Sequence, residues 1–216
     1  MDQQQRPVLY TYFRSSSAAR VRIALNYKGI DYESRAVNIL KGEHHSAEYT
    51  RLNPSGLVPY LVIDGHEFSQ SVAILEYIEE TRPGRRLLPS DPARRACVRA
   101  IVGAICCDIQ PLQNLRVLKA LPESQRAEHA AKVIGSGLAV VERMLEKTAG
   151  LFCVGDEVSL ADCCLIPQLY NAHRYAVDLA CFPHIRAIEE RAGALGAFRR
   201  AHWSRQHDCP KELLAK

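Results

Sequence analysis

Strand and helix signals alternate over the first eighty residues, and this alternation constrains the fold more than any other feature of the chain. The segment 8–12 is β-branched and aromatic, as a strand requires. A serine run at 15–17 precedes apolar residues at helical spacing, and Gly29 stands where such a helix commonly ends. The segment 31–37 has strand character again. The order strand, helix, strand predicts an α/β domain.

A second group of elements continues this domain in the order helix, strand, strand, helix. The segment 46–52 predicts a short helix. Strand-forming residues at 58–63 and 66–68 flank Asp64-Gly65, a pair typical of a β-hairpin turn. Apolar residues at helical spacing then occupy 72–78. A mixed sheet covered by helices is therefore expected.

The segment 81–92 holds three prolines and a glycine, which indicates a domain boundary. Beyond it the pattern is helical, with long amphipathic segments at 93–118 and 125–147. Ser159 and Asp162 form a capping-box pair, and Pro167 predicts a kink in the following helix or a helix start shortly before it. We predict an α/β domain over residues 7–84, a linker over 85–92 and an all-helical domain over 93–216.

The composition narrows the class of protein. The chain has 216 residues, of which 47% are hydrophobic, so it is long enough to bury a core and too apolar to be disordered. A net charge of +4 without a long basic run gives no reason to expect a nucleic-acid partner. No apolar run approaches the roughly 20 residues that span a bilayer, and the first residues lack a secretory signal. We expect an intracellular protein that does not enter a membrane.

Eight cysteines are present, but they form no C-x-x-C pair and no Cys/His cluster at zinc spacing. The sequence therefore predicts no metal site, and a reducing compartment suits these cysteines better than a disulfide framework. Redox sensing by one exposed thiol, with Cys209 as the candidate, stays open. The cysteines are Cys97, Cys106, Cys107, Cys153, Cys163, Cys164, Cys181 and Cys209.

The first feature with chemical content is the segment Arg14–Arg20, which joins the first strand to the first helix. A hydroxyl at a helix start lies beside unpaired backbone amides and the positive end of the helix dipole, which together favour a bound anion. Such a site can hold a thiolate. The alternative is that the serines only cap the helix.

The second feature is Val58-Pro59 at the start of a strand. Proline supplies no donor to a sheet, and a cis bond is plausible here. A cis bond would turn the backbone of Val58 outward, where an extended peptide could pair with it. The alternative is an ordinary proline on an edge strand.

Two further features could bind carboxylates. Gln70-Ser71 opens a helix, and an N-terminal hydroxyl with a neighbouring amide suits a free carboxylate, although simple capping is the alternative. Arg116 and Arg174 in the helical half could bind carboxylates in a bidentate manner, although most helical arginines are only solvated.

Taken together and in this order, these motifs resemble those of zeta-class glutathione transferases, over nearly the whole chain from Val8 onward. The resemblance implies a thioredoxin-like N-terminal domain that binds glutathione, an all-helical C-terminal domain that shapes the substrate site, and a homodimer in the cytoplasm. It rests on the segments 12–25, 53–59, 70–80, 109–115 and 154–162.

The resemblance also implies roles for single residues. Ser15 matches the serine that stabilises the thiolate, and Val58 matches the residue whose backbone pairs with glutathione. The implied catalytic residues are Ser15, Ser16, Arg14 and Arg174. The implied glutathione-binding residues are Ser15, Ser16, Ser17, Arg20, His44, Val58, Gln70, Ser71, Gln110, Asn114 and Arg116.

The chain departs from the family at two positions: Ser17 stands where the family commonly has cysteine, and Ala19 where it has a bulky residue. The first change leaves the implied chemistry intact, because glutathione itself provides the sulfur nucleophile. Both changes affect the expected shape of the site.

The implied activity is glutathione-dependent cis–trans isomerisation of maleylacetoacetate, a small diacid, with transfer of glutathione to α-halo acids as an expected side activity. Thiolate addition makes the double bond temporarily single, so that rotation becomes fast. Two alternatives stay open: the same reaction on maleylpyruvate, and a glutathione-binding protein of the same fold without catalysis.

Overall fold

The computed structural model describes residues 6–214 of the chain. These residues form two compact units, and each is described by itself. The first unit contains the residues up to Arg85 together with those from Gly196 onward, and the second unit is Arg86–Leu195.

A mixed four-stranded sheet lies at the centre of the first unit, in the spatial order β2-β1-β3-β4. β1 pairs in parallel with β2, whereas the pairs β1–β3 and β3–β4 are antiparallel. The predicted strand, helix, strand unit followed by a hairpin is therefore confirmed. The strands are β1 (Val8–Thr11), β2 (Glu33–Ala36), β3 (Tyr60–Ile63) and β4 (His66–Ser69).

Three helices accompany this sheet: α1 (Ser16–Lys28), α2 (Ala47–Leu52) and α3 (Ser71–Thr81). Leucines and isoleucines of α1 and α3 are buried against β1 and β3, and each such side chain contributes about 1.5–3 kcal/mol. The members of this core are Leu9, Val21, Leu25, Leu61, Ile63, Ile74 and Ile78. The core fixes where α1 and α3 begin, and both helix starts carry predicted site residues.

The second unit is helical, and in its described residues the only β pairing is two isolated bridges near Gly155. The predicted helical segment over 93–118 is present but is not one continuous helix. It is broken into an α-helix, a π-helical segment (Ala104–Ile109), a 3₁₀ turn (Pro111–Gln113) and a short α-helix. Pro111 explains the break, because it has no N–H and its ring clashes with the preceding turn. The α-helices are α4 (Pro92–Gly103), α5 (Leu115–Lys119), α6 (Glu123–Thr148), α7 (Leu160–Arg174) and α8 (Pro183–Ala194).

The predicted capping box at the start of α7 is present. The buried Asp162 carboxylate accepts hydrogen bonds from the Ser159 N–H and hydroxyl, both at 2.8 Å, and from the Cys153 N–H at 2.9 Å. α7 begins at Leu160 and continues through Pro167, so the alternative of a start shortly before that proline is wrong.

The stretch Pro92–Lys119 is long and apolar enough to cross a membrane by composition, with 33% of its most apolar window buried. A single stretch of this kind is weak evidence for a membrane span, because core helices of globular proteins pass the same test. Here the stretch is also not one continuous α-helix.

The chain returns to the first unit after Leu195. We call Gly196–Leu214 the C-terminal segment; it contains α9 (Gly196–Ala201) and two 3₁₀ turns. The Asn26 side-chain amide of α1 donates to the Ala197 carbonyl at 3.2 Å. These contacts group the C-terminal segment with the α/β unit, whereas the sequence pattern assigns it to the helical domain 93–216.

Candidate functional site

Ser15 is the N-cap residue of α1 and is half-buried. Its hydroxyl oxygen accepts the Ala18 N–H at 3.1 Å, and its own N–H donates to the Tyr12 carbonyl at 3.0 Å. A serine hydroxyl can accept one hydrogen bond and donate another at the same time. Capping the helix and binding an anion are therefore compatible roles for Ser15.

The two serines that follow form the first turn of α1, with Ser16 buried and Ser17 half-buried. No intrahelical carbonyl can pair with the backbone N–H groups of a first helical turn. Arg14 precedes this turn, with its guanidinium 6.0 Å from the centre of the Phe13 ring. The helix start thus combines hydroxyls, amides and positive charge, as an anion site requires.

Arg22 binds the backbone of the loop that precedes α1, and the sequence pattern did not identify it as a site residue. Its guanidinium is fully buried and donates to the Thr11 hydroxyl at 2.7 Å, the Tyr12 carbonyl at 3.3 Å and the Phe13 carbonyl at 3.1 Å. The sequence signal that could have identified Arg22 is its position between two apolar residues, Val21 and Ile23, within a predicted helix.

The Val58–Pro59 bond is cis, as expected. The Leu57 carbonyl before it accepts hydrogen bonds from the Tyr49 hydroxyl and the Asn53 amide, both at 2.6 Å. Among residues 6–214, the backbone N–H and C=O of Val58 have no hydrogen-bond partner. An extended ligand could therefore pair with both groups.

Burial raises the pKa of Tyr49 to about 12, with a smaller opposing effect from its hydrogen bond with Asn53. The phenol therefore stays protonated at neutral pH and can serve as the donor to Leu57. The sequence pattern did not identify Tyr49 and Asn53 as residues that hold the backbone beside Val58.

Gln70 and Ser71 form the start of α3, as predicted. Gln70 is exposed and has a φ of +68°, a conformation that costs a non-glycine residue about 1–3 kcal/mol. Residues held in such a conformation cluster at ligand sites. Ser71 is buried, and its hydroxyl accepts a hydrogen bond from Arg20 at 3.0 Å.

Arg20 carries an unusual feature for a buried cation. Its side chain is buried on α1, with the residue 2% exposed, and Nη1 donates to the Ser71 hydroxyl. Within residues 6–214, Nε and Nη2 are buried without a hydrogen-bond partner. Leaving a buried charge unpaired is strongly destabilising. Arg20 thus places a buried positive charge behind the Ser71 hydroxyl at the start of α3.

His44 is buried in a 3₁₀ turn (Glu43–His45) between β2 and α2. Its ring lies against the ring of His45, with 3.8 Å between their centres. The described contacts place His44 in the first unit but do not connect it with Ser15 or Ser71.

The remaining predicted residues lie in the second unit. Gln110 is half-buried after the π-helical segment, and Asn114 caps α5 by accepting the Arg116 N–H at 3.1 Å. Arg116 is exposed. Arg174 is exposed at the end of α7, with its guanidinium 5.1 Å from the Tyr175 ring centre. Thus Gln110, Asn114 and Arg116 follow one another along the chain, from the residue before the 3₁₀ turn to the start of α5, whereas Arg174 lies in α7.

All eight cysteines are free thiols. Cys209 is buried, contrary to the suggestion of an exposed redox thiol. Burial and the Asp208 carboxylate raise its pKa, with a smaller opposing effect from Arg14. Among residues 6–214, no three histidine, cysteine or acidic side chains are arranged to hold a metal ion.

Comparison with known proteins agrees with this geometry. The glutathione S-transferase N-terminal domain matches residues 7–80, and the C-terminal domain of the same family matches residues 124–201. A relative named maleylacetoacetate isomerase from Rattus norvegicus is 53% identical, covering 96% of this chain and 97% of its own.

Two solved structures extend the comparison. A holo maleylpyruvate isomerase, described as a bacterial zeta-class glutathione S-transferase, has a TM-score of 0.91 and 39% identity, covering 94% of this chain and 100% of its own. A maleylacetoacetate isomerase from Anaeromyxobacter dehalogenans 2CP-1 holds dicarboxyethyl glutathione and citrate in its active site. Its TM-score is 0.86 at 44% identity, over 94% of this chain and 97% of its own. The chain belongs to the glutathione S-transferase family, and its similarity is to the zeta-class isomerases within that family.

Proposed function

We propose that this protein is a glutathione-dependent isomerase that converts maleylacetoacetate to fumarylacetoacetate. The observation that carries the proposal is the pair of serine-bearing helix starts in the first unit, with the unpaired guanidinium of Arg20 beside one of them. The relative from Rattus norvegicus supports the choice of substrate.

The residues present fit glutathione. Its γ-glutamyl end carries a free carboxylate, which suits the start of α3 at Gln70 and Ser71, where the buried guanidinium of Arg20 adds positive charge behind the Ser71 hydroxyl. Its extended peptide suits the unpaired backbone of Val58. We assign the remaining end of the tripeptide to His44.

Bound glutathione supplies a thiolate, whose reversible addition to the substrate double bond allows rotation about that bond. Ser15 would donate its hydroxyl hydrogen to this sulfur, and the first-turn amides of Ser16 and Ser17 would add to the positive field. The hydrogen bond from the Ala18 N–H holds the Ser15 oxygen in place for that role.

Positive charge would anchor the substrate and stabilise the negative charge that develops on its carbonyl oxygen. We assign these tasks to Arg14, Arg116 and Arg174, with Gln110 and Asn114 as polar contacts of the ligands. The serine at position 17 is compatible with this scheme, because no protein thiol takes part.

Maleylpyruvate is the second candidate substrate, because the isomerase with a TM-score of 0.91 to this chain acts on it by name. Transfer of glutathione to α-halo acids would need the same sulfur site. We also propose that the protein works as a cytoplasmic homodimer. Light scattering of the purified protein would test the dimer.

The substitution Ser15→Ala tests the proposal. It should lower kcat/KM for maleylacetone, a substrate analogue, by about 100-fold, because a donor to a developing or bound anion is lost. Steady-state assays at saturating glutathione provide the measurement.

Ser46→Ala is the matched control, because the Ser46 hydroxyl caps α2 with the same geometry, accepting the Tyr49 N–H at 3.1 Å. Each substitution removes a cap worth about 1 kcal/mol. Turnover that falls equally in both variants, or in neither, would rule out the assigned role of Ser15.

A further inference from the structure

The C-terminal segment packs directly on the loop that leads into Ser15. Trp203, Cys209 and Leu213 belong to the same apolar cluster as Tyr12 and Phe13. These contacts bring residues from the far end of the chain against the backbone just before α1.

Asp208 makes the polar contact of this packing. Its Oδ2 accepts the Phe13 N–H at 2.8 Å, while its Oδ1 is buried without a partner in the part of the chain that the structure describes. A carboxylate accepting a backbone N–H makes a charge-assisted bond, roughly twice as strong as a neutral one.

Arg22 binds the carbonyl group of Phe13, the residue whose N–H Asp208 accepts. Arg22 donates to the Phe13 carbonyl at 3.1 Å and, through Nε, to the Ala201 carbonyl at 3.2 Å. Phe13 therefore has a negative group on its N–H and a positive group on its C=O. The C-terminal segment takes part in both contacts, through Asp208 and through Ala201.

The backbone turn from Tyr12 to Ser15 is held by a hydrogen bond of its own. The Ser15 N–H donates to the Tyr12 carbonyl at 3.0 Å, which closes the turn over Phe13 and Arg14. Fixing Phe13 thus fixes the backbone position from which the Ser15 hydroxyl projects. Asp208 and Arg14 both act electrostatically on the Cys209 thiol, and Arg22 binds the carbonyl of the same Phe13 whose N–H Asp208 accepts.

We propose that Asp208 is a positioning residue for Ser15, holding the loop so that the hydroxyl meets the glutathione sulfur. This inference rests on the proposed function, since it requires Ser15 to act on that sulfur. Asp208 itself touches neither ligand in this scheme.

Two substitutions of Asp208 separate positioning from general stability. Asp208→Ala removes the acceptor, so that kcat/KM should fall about 10-fold and the bound glutathione thiol should ionise at higher pH. Asp208→Asn keeps an oxygen acceptor without charge and should lose only about threefold. KM for glutathione should change little, because Arg20, Gln70 and Ser71 are untouched.

Glu212→Ala and Glu212→Gln are the matched controls, since Glu212 is an exposed carboxylate of the same segment. The measurements are steady-state kinetics and the ultraviolet absorbance of the bound thiolate as a function of pH. Controls that match the wild type, with a graded loss at Asp208, are the expected result. Should Asp208→Ala fail to fold, the comparison of Asp208→Asn with Glu212→Gln decides.

The experiment distinguishes failure of the positioning role from failure of the proposed function. If the wild type ionises bound glutathione and the Asp208 variants titrate and turn over as the Glu212 variants do, the positioning role is overturned. If the wild type itself produces no thiolate signal with glutathione, the proposed function fails, and the positioning role fails with it.

Discussion

Arg20 and Arg22 are two residues apart on α1 and both are buried, yet their surroundings differ. Arg22 donates to three backbone carbonyls and one hydroxyl, so its guanidinium is hydrogen-bonded within the protein. Arg20 has one partner and two unpaired nitrogens. This difference is the basis for the proposal that Arg20 contributes to ligand binding, whereas Arg22 is structural.

Replacing each arginine by methionine should give opposite results. Arg20→Met removes an unpaired buried charge, so stability should be kept or increased while affinity for glutathione falls at least about 10-fold. Arg22→Met leaves carbonyls unpaired and should cost about 3 kcal/mol. Thermal unfolding and titration calorimetry provide the measurements. Equal destabilisation with unchanged affinity at Arg20 would show that Arg20 is structural.

Sequence reasoning predicted the candidate site residues whose signal is local. Ser15, Gln70 and Ser71 stand at helix starts, and Val58 precedes a proline, so neighbouring residues suffice to mark them. Asp208 gives no such signal, because its partner Phe13 is distant in the chain and only the folded structure brings them together.

At the scale of single elements, local turn and cap chemistry predicted the boundaries well. Asp64 and Gly65 have φ values of 55° and 75°, as a two-residue hairpin turn requires. Gly29 ends α1 in the left-handed conformation, as its position indicated. The π-helical segment Ala104–Ile109 was not predicted, because it differs from an α-helix in its backbone hydrogen-bond register and not in composition.

The C-terminal segment should make stability depend on pH. The Nδ1 atom of His202 accepts the Ser204 N–H at 3.3 Å and lies 2.7 Å from the Ser204 hydroxyl, and only a ring unprotonated at Nδ1 can accept. Burial, and then the charges of Arg22 and Arg205, lower the pKa of His202 from its usual 6.5. The stabilisation is therefore present above pH 6.5 and is lost as pH falls through the lowered pKa.

Chemical unfolding of the wild type at a series of pH values would measure this loss. His202→Asn, which cannot be protonated, should flatten the dependence below pH 6.5, whereas His66→Asn at an exposed site should not. An identical pH profile for the wild type and His202→Asn would contradict this account.

At the scale of the whole molecule, the burial of each cysteine, and not the number of cysteines, decides which thiols can react. Cys107 and Cys181 are exposed, whereas Cys153, Cys163 and Cys164 are fully buried. Burial and the nearby Asp162 carboxylate raise the pKa of Cys153 well above its usual value. The adjacent pairs in the sequence do not reveal which thiol faces solvent, because that depends on how the helices pack.

Native thiol labelling followed by mass spectrometry should modify Cys107 and Cys181 first. The three fully buried cysteines should react only in denaturant, and substitution of Cys107 and Cys181 by serine should leave isomerase turnover unchanged. Loss of turnover in that double variant would show that a protein thiol takes part in the reaction.

The division into an α/β part and a helical part could be predicted from the sequence, since the proline-rich segment 81–92 separates two patterns. The return of the chain to the first unit could not, because α9 has the same helical pattern as the helices of the second unit. Its place is set by contacts of Asn26 and Arg22 with backbone carbonyls, which no periodicity encodes.

The central claim is that the sulfur of glutathione, and no group of the protein, makes and breaks the bond to the substrate. The most direct measurement is the rate of cis–trans conversion of maleylacetone by dialysed protein, with and without added glutathione. The account predicts no conversion above the uncatalysed rate until glutathione is added, and a full return of activity when it is. Undiminished conversion by protein free of glutathione would contradict it.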